Sequence, residues 1–169
     1  RLGFIKTIEE QAALLSKLVD DLLDLSAIES GHRPPKLAPA PLDELIAHSV
    51  RHFSAAAAGR GVTLSASAPK NLAAALADVE QVRQILANLI ENAVKYTEAG
   101  GSVEVSARAQ DGDVVVCVRD TGVGIPAADL PRVFERFYRV DAARSREAGG
   151  TGLGLAIVKH LVEAQGGRV

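Results

Sequence analysis

With one cysteine, a net charge of −2 and no long apolar run, the sequence closes several classes before any motif is considered. A lone cysteine makes no disulfide framework. Cys117 sits inside Val114-Val-Val-Cys-Val118, where a small buried hydrophobe is expected rather than a reactive thiol. Near-balanced charge excludes a general nucleic-acid surface and an acidic tail, although Arg132 to Arg146 holds five arginines that can face an anion. No run approaches the roughly 20 apolar residues that span a bilayer, and no signal-peptide pattern opens the chain. A cytosolic, soluble segment is expected. Arg1-Leu-Gly-Phe-Ile-Lys6 begins inside a periodic pattern without a cap, and Gln165-Gly-Gly-Arg-Val169 stops where a strand can start, so the segment reads as part of something longer.

What is present is enough for a core: 169 residues, 47% apolar, one ordinary domain and an appendage. From Leu2 to Ile28 apolar residues recur at helical spacing in two stripes, Ile5, Ile8, Ala12, Leu15, Val19, Leu22 and Leu14, Leu18, Leu25, Ile28. Such a helix, roughly 40 Å long, has an apolar face that needs a partner, either the rest of the chain or a bundle. Gly31 with Pro34, Pro35, Pro39 and Pro41 ends it and makes an extended linker. Beyond the linker the pattern predicts a helix over 42–58, a strand over 62–66, a short strand within 73–76, and a helix over 79–96 capped by Asp78. Val103 to Ala109 alternates, Asp111-Gly-Asp113 signals a hairpin, and a buried strand over 114–118 is expected to pair with it. A last helix is expected from about Gly152 to Ala164. The order predicts an α+β fold, a two-layer sandwich with one sheet covered by helices on one face.

Three segments bear chemistry. On the 79–96 helix, Gln84, Asn88, Glu91, Asn92 and Lys95 share one side. That stripe is either a solvated face or a site for magnesium-bound polyphosphate, since amide oxygens are hard neutral ligands and lysine is a point charge. In Arg119-Asp-Thr-Gly-Val-Gly-Ile-Pro126 the aspartate ends a strand, where it can accept a hydrogen bond from an exocyclic amine such as adenine's, or simply form an Asx turn. Gly122 to Ala127 also fits a loose dinucleotide fingerprint, but Pro126 and the arginine-rich run occupy the place of a crossover helix. Gly150-Thr-Gly-Leu-Gly-Leu155 lacks the Gly-Lys-Ser/Thr ending of a P-loop, yet its amides can hold phosphate at a helix start. Between the two glycine segments, Phe134 to Arg139 and 141–150 form a polar stretch with the character of a lid, in which Phe134 and Phe137 are either part of it or ordinary core anchors.

In that order, Asn88-Leu-Ile-Glu-Asn92-Ala-Val-Lys-Tyr96, Asp120-Thr-Gly-Val-Gly124, Phe134-Glu-Arg-Phe137 and Gly150-Thr-Gly-Leu-Gly-Leu155 resemble the N, G1, F and G2 boxes of sensor histidine kinases. Leu18 to Gly31 resembles the second dimerisation helix of the same family. The resemblance implies domains at 1–31 (that helix), 32–41 (linker) and 42–169 (catalytic ATP-binding domain), with ATP and Mg²⁺ as cofactors. It implies that Asn92 ligates Mg²⁺ with help from Asn88, and that Lys95 and Tyr96 lie against phosphates and nucleotide. Asp120 then reads the adenine amine, Gly122 and Gly124 make room for the base, and Phe137 is a nucleotide contact. Arg139 is implied to meet the γ-phosphate, and Gly150, Thr151, Gly152, Leu153 and Gly154 to close over the phosphates.

The family also implies partners: a response-regulator receiver domain, a second copy joined through a helical bundle, a membrane anchor in the intact protein, and no nucleic acid. Hydrolytic relatives carry a glutamate base four residues before the magnesium asparagine, and here that place is Asn88. A site without that carboxylate suits transfer to an outside nucleophile. The family's acceptor histidine, with its acid and Thr-Pro pair, does not occur. His32, His48, His52 and His160 read as surface or structural residues, so the segment cannot complete phosphotransfer alone. The alternatives are a docking module with a degenerate site and an ATP hydrolase of the same superfamily.

Overall fold

The computed structural model describes residues 2–69, 72–140 and 150–169. Most of the expected lid, with Arg144 and Arg146, lies outside them. In chain order the elements are α1 (Leu2–Glu29), β1 (Ala38–Ala40), α2 (Leu42–Gly59), β2 (Thr63–Ser67), β3 (Ala75–Ala77), α3 (Val79–Tyr96), β4 (Ser102–Gln110), β5 (Asp113–Asp120), a 3₁₀ turn (Leu130–Arg132) and α4 (Gly154–Ala164). The fold is α+β as expected, with a mixed sheet packed against helices and one long helix. By its contacts the chain divides into two units, one of residues 35–124 and 165–167, the other of 1–34, 125–164 and 168–169.

The first unit holds both sheets. β1 pairs antiparallel with β3, while β2, β4 and β5 form a second sheet in that order, β2 parallel and β5 antiparallel to β4. Val103, Val105 and Ala107 of β4 are buried and alternate with less buried neighbours. That is the period-2 mark of a sheet with one face on a core. Opposite them, Val118 faces Val105 and Val116 faces Ala107, and these valines pack on the same core as Leu45, Ile46, Leu86 and Ile90 of α2 and α3. Cys117 pairs with Ser106 on the other face and is half-buried, so the expectation of a core cysteine is corrected by strand register. Asp111 and Gly112 both have positive φ (52° and 87°), as a two-residue type I′ hairpin turn demands.

The α3 helix begins where expected. Asp78 Oδ1 accepts from the amides of Glu80 (2.9 Å) and Gln81 (3.1 Å), and its Oδ2 from Lys36 N (2.8 Å). Two orphan helix amides and one from the linker are thereby satisfied by one carboxylate. The linker is not wholly irregular. Its end forms β1, which the prolines concealed; Pro39 is tolerated because an edge position needs no N–H there.

In the second unit α1 packs against α4. The two sequence stripes of α1 have different fates. Leu14, Leu18 and Ile28 are half-buried and Leu25 is buried, whereas Ile5, Ile8, Leu15, Val19 and Leu22 are exposed. Among the described residues no helix is long and apolar enough to cross a membrane.

Candidate functional site

The polar side of α3 is more sheltered than a surface stripe. Gln84, Asn88, Asn92 and Lys95 are half-buried and only Glu91 is exposed. Asn88 and Asn92, four residues apart, stand one turn above the other. Lys95 Nζ lies 5.2 Å from the centre of the Tyr96 ring, and Arg60 Nη2 donates to the Lys95 carbonyl at 3.1 Å. The arginine so supplies one of the last-turn carbonyls with a partner. No group of three or more His, Cys, Asp or Glu with metal-binding placement occurs among the described residues. Asn88 and Asn92 offer neutral amide oxygens, donors of a kind that fit a hard ion that keeps its waters and takes its remaining ligands from phosphate.

Asp120 ends β5 on the same face as Val116 and Val118, because side chains repeat every two residues along a strand. There the core runs out and the carboxylate is exposed. Its Oδ1 accepts from Gly122 N at 2.9 Å, the Asx turn that the sequence allowed, and Oδ2 is a second acceptor on the same exposed carboxylate. The loop is fastened to α3: Val123 N donates to the Tyr96 carbonyl at 3.3 Å, and a Cβ on Gly122 would lie 2.4 Å from that same oxygen. Gly122 is thus required by the protein's own backbone. Gly124, at φ +70° with open space around it, is required by conformation alone.

The other candidate residues belong to the second unit. Turn bonds run in steps of three, from Asp129 N to Pro126 O, Arg132 N to Asp129 O, Glu135 N to Arg132 O and Tyr138 N to Glu135 O. Side chains three, six and nine residues apart meet along this ladder. Tyr138 Oη donates to Asp129 Oδ1, Arg132 lies over the Tyr138 ring at 4.2 Å, and Arg132 Nη2 pairs with Glu135 at 3.1 Å. The Asp129 bond, first among its causes, holds the Tyr138 phenol above its ordinary pKa, and Glu135 does the same for Arg132.

Phe137 is exposed with φ 61°, so it is not a core anchor, and its amide donates to Gly152 O at 2.9 Å. Gly152 has φ +74°, and a Cβ there would come within 3.0 Å of the Phe137 backbone. Arg139 lies two residues beyond Phe137. Its Nε and Nη2 are buried and have no hydrogen-bond partner among the described residues. A guanidinium cannot shed its charge, so an orphan of this kind is suited to an anion.

Gly150, Thr151, Gly152 and Gly154 are half-buried and Leu153 is buried. Thr151 Oγ1 accepts from Leu153 N at 3.3 Å and donates to Asp21 Oδ2 of α1 at 2.8 Å. Glu29 of α1 pairs with Arg136 and, at 3.2 Å, with His160 Nε2.

Residues 77–169 match the family model of histidine kinase-, DNA gyrase B- and HSP90-like ATPases. The chain belongs to that family. It is 36% identical over 166 residues to the sensor-like histidine kinase SenX3 of Mycolicibacterium smegmatis, covering 98% of this chain and 43% of that protein. Over 165 residues it is also 36% identical to the signal transduction histidine-protein kinase BaeS of Escherichia coli, with 98% and 35% covered. Its fold resembles full-length ShkA crystallised with AMPPNP, at a TM-score of 0.82 and 34% identity over 98% of this chain and 34% of that one. The chain spans between about a third and two-fifths of the length of these relatives, and its residues 77–169 match the ATPase domain.

Within the ATPase family the four boxes were legible as motifs. The Asp129, Arg132, Glu135, Tyr138 ladder was missed. Its signal is the three-residue spacing of complementary side chains.

Proposed function

We propose that the intact protein is a sensor histidine kinase in which this segment binds Mg·ATP and transfers the γ-phosphate to a histidine outside it, for relay to a response-regulator aspartate. Residues 1–31 are the second helix of a dimerisation domain, 32–41 the linker, and 42–169 the catalytic domain. The observation that carries the reading is Arg139, whose Nε and Nη2 are buried without a hydrogen-bond partner among the described residues, next in sequence to a turn fastened to Gly152. Arg139 meets the γ-phosphate, and Gly150, Thr151, Gly152, Leu153 and Gly154 lie against the phosphates. Asn88 and Asn92 hold Mg²⁺, which neutralises phosphate charge when bound; Lys95 and Tyr96 contact the nucleotide, as does Phe137. Asp120 reads the adenine amine through its Oδ2, with Gly122 and Gly124 shaping that loop.

Asn88 favours transfer over hydrolysis, because an amide cannot take a proton from water as a carboxylate does. The exposed stripe Ile5, Ile8, Leu15, Val19 and Leu22 supports a second copy as bundle partner in the intact protein, which we place at the cytoplasmic side of a membrane. Titration with Mg·ATP tests the binding half of the proposal. Asn92→Ala should remove the magnesium dependence of binding, and ATP affinity indifferent to magnesium in the parent chain would overturn the α3 assignment.

A further inference from the structure

Among the described residues no hydrogen-bond partner fixes where Arg139 Nε and Nη2 point, yet a charge meant for one phosphate has to be aimed. The aim comes from its neighbours. On one side, the Phe137 amide is tied to Gly152 O and Phe137 is held in left-handed backbone, a strained conformation for a non-glycine residue. On the other side, Tyr138 is gripped twice, by Asp129 through its hydroxyl and by Arg132 across its ring. Arg132 is in turn steadied by Glu135, with Nε and Nη2 both directed at one carboxylate. The strained Phe137 and its neighbour Tyr138 are therefore both held, and Arg139 is the next residue along.

The geometry points to Asp129 and Tyr138 as positioning residues that aim Arg139 at the terminal phosphate. They act through Arg139 and touch no nucleotide themselves. This inference rests on the proposed role of Arg139, which the same experiment examines separately. A positioning group for the γ-phosphate contributes to binding of a triphosphate and nothing to a diphosphate. General damage to the fold weakens both alike.

The affinities of the full chain for AMPPNP and ADP, measured by calorimetry with Mg²⁺, give that split. Tyr138→Phe keeps the ring for Arg132 and removes only the hydroxyl. It should weaken AMPPNP about tenfold, the scale of one hydrogen bond's worth of binding, and leave ADP unchanged. Asp129→Ala should do the same, while Asp129→Asn, which still offers an oxygen to the phenol, should recover most of the loss. In an Arg139→Ala background, Tyr138→Phe should add nothing, because the group it aims is gone. Equal losses for AMPPNP and ADP, or losses that add to those of Arg139→Ala, would overturn the inference. If Arg139→Ala lowers AMPPNP affinity selectively and Tyr138→Phe does not, the inference alone fails. If Arg139→Ala leaves the two affinities in their original ratio, the proposed phosphate role of Arg139 fails with it.

Discussion

At Gly122 an added Cβ would meet the Tyr96 carbonyl oxygen at 2.4 Å, while at Gly152 it would meet the Phe137 backbone at 3.0 Å and the residue also has φ +74°. The 120–124 loop is thus pressed against the end of the α3 helix, in ordinary backbone conformation at the point of contact. The 150–154 loop is bent into left-handed backbone and pressed against a second bent residue. Both runs read in sequence as glycine for a ligand's sake. In each, the glycine first lets one piece of the protein lie against another, and the residue we propose to meet the nucleotide stands within two residues of the contact: Asp120 beside Gly122, Arg139 beside Phe137.

The comparison can be broken at its tightest point. Gly122→Ala should cost about 3 kcal/mol of stability, the upper range for forcing extra volume into a packed place, because its obstacle is a backbone oxygen that cannot rotate away. Gly152→Ala should cost about 2 kcal/mol, mostly left-handed strain, with a looser contact. Gly124→Ala, at φ +70° and with nothing within 4 Å, isolates strain alone and should cost about 1 kcal/mol. Urea unfolding of the three variants checks the order; equal losses at 122 and 124 would remove the close contact from the account.

Asp120→Asn sharpens the same comparison from the chemical side. The amide oxygen can still accept from Gly122 N, so stability should hold. ATP affinity should fall by about 1 kcal/mol, the difference between a charged and a neutral acceptor. Loss of stability with unchanged affinity would make Asp120 a turn residue and nothing more.

Much of this was legible. Val79–Tyr96 and its Asp78 cap, the hairpin at Asp111-Gly112 and the strands around it follow from local periodicity and turn chemistry, which act within a few residues. The four boxes are similarly local. What escaped was set by pairing across the chain. β1 hides among prolines because its partner is β3, Cys117 was misread because register decides which face it takes, and the roles of Gly122 and Gly152 depend on Tyr96 and Phe137.

The smallest expected effect concerns Tyr138. Its folded pKa lies above the unfolded value near 10, chiefly through the hydrogen bond to Asp129. The protonated phenol is the form that makes the bond, so its contribution is complete below the unfolded pKa and is lost as pH rises through the folded one. In a Tyr96→Phe background the remaining tyrosine reports alone. Its phenolate absorbance should appear above pH 10, and Asp129→Ala should bring it back toward the ordinary range.

The central claim is that the segment moves phosphate to a histidine it does not carry. Mixing it with Mg·ATP and a separately made helix bearing the acceptor histidine tests this most directly. The account predicts acid-labile phosphate on that helix, lost with Arg139→Ala. Steady release of inorganic phosphate with none on the helix would contradict it and make this member of the family a hydrolase.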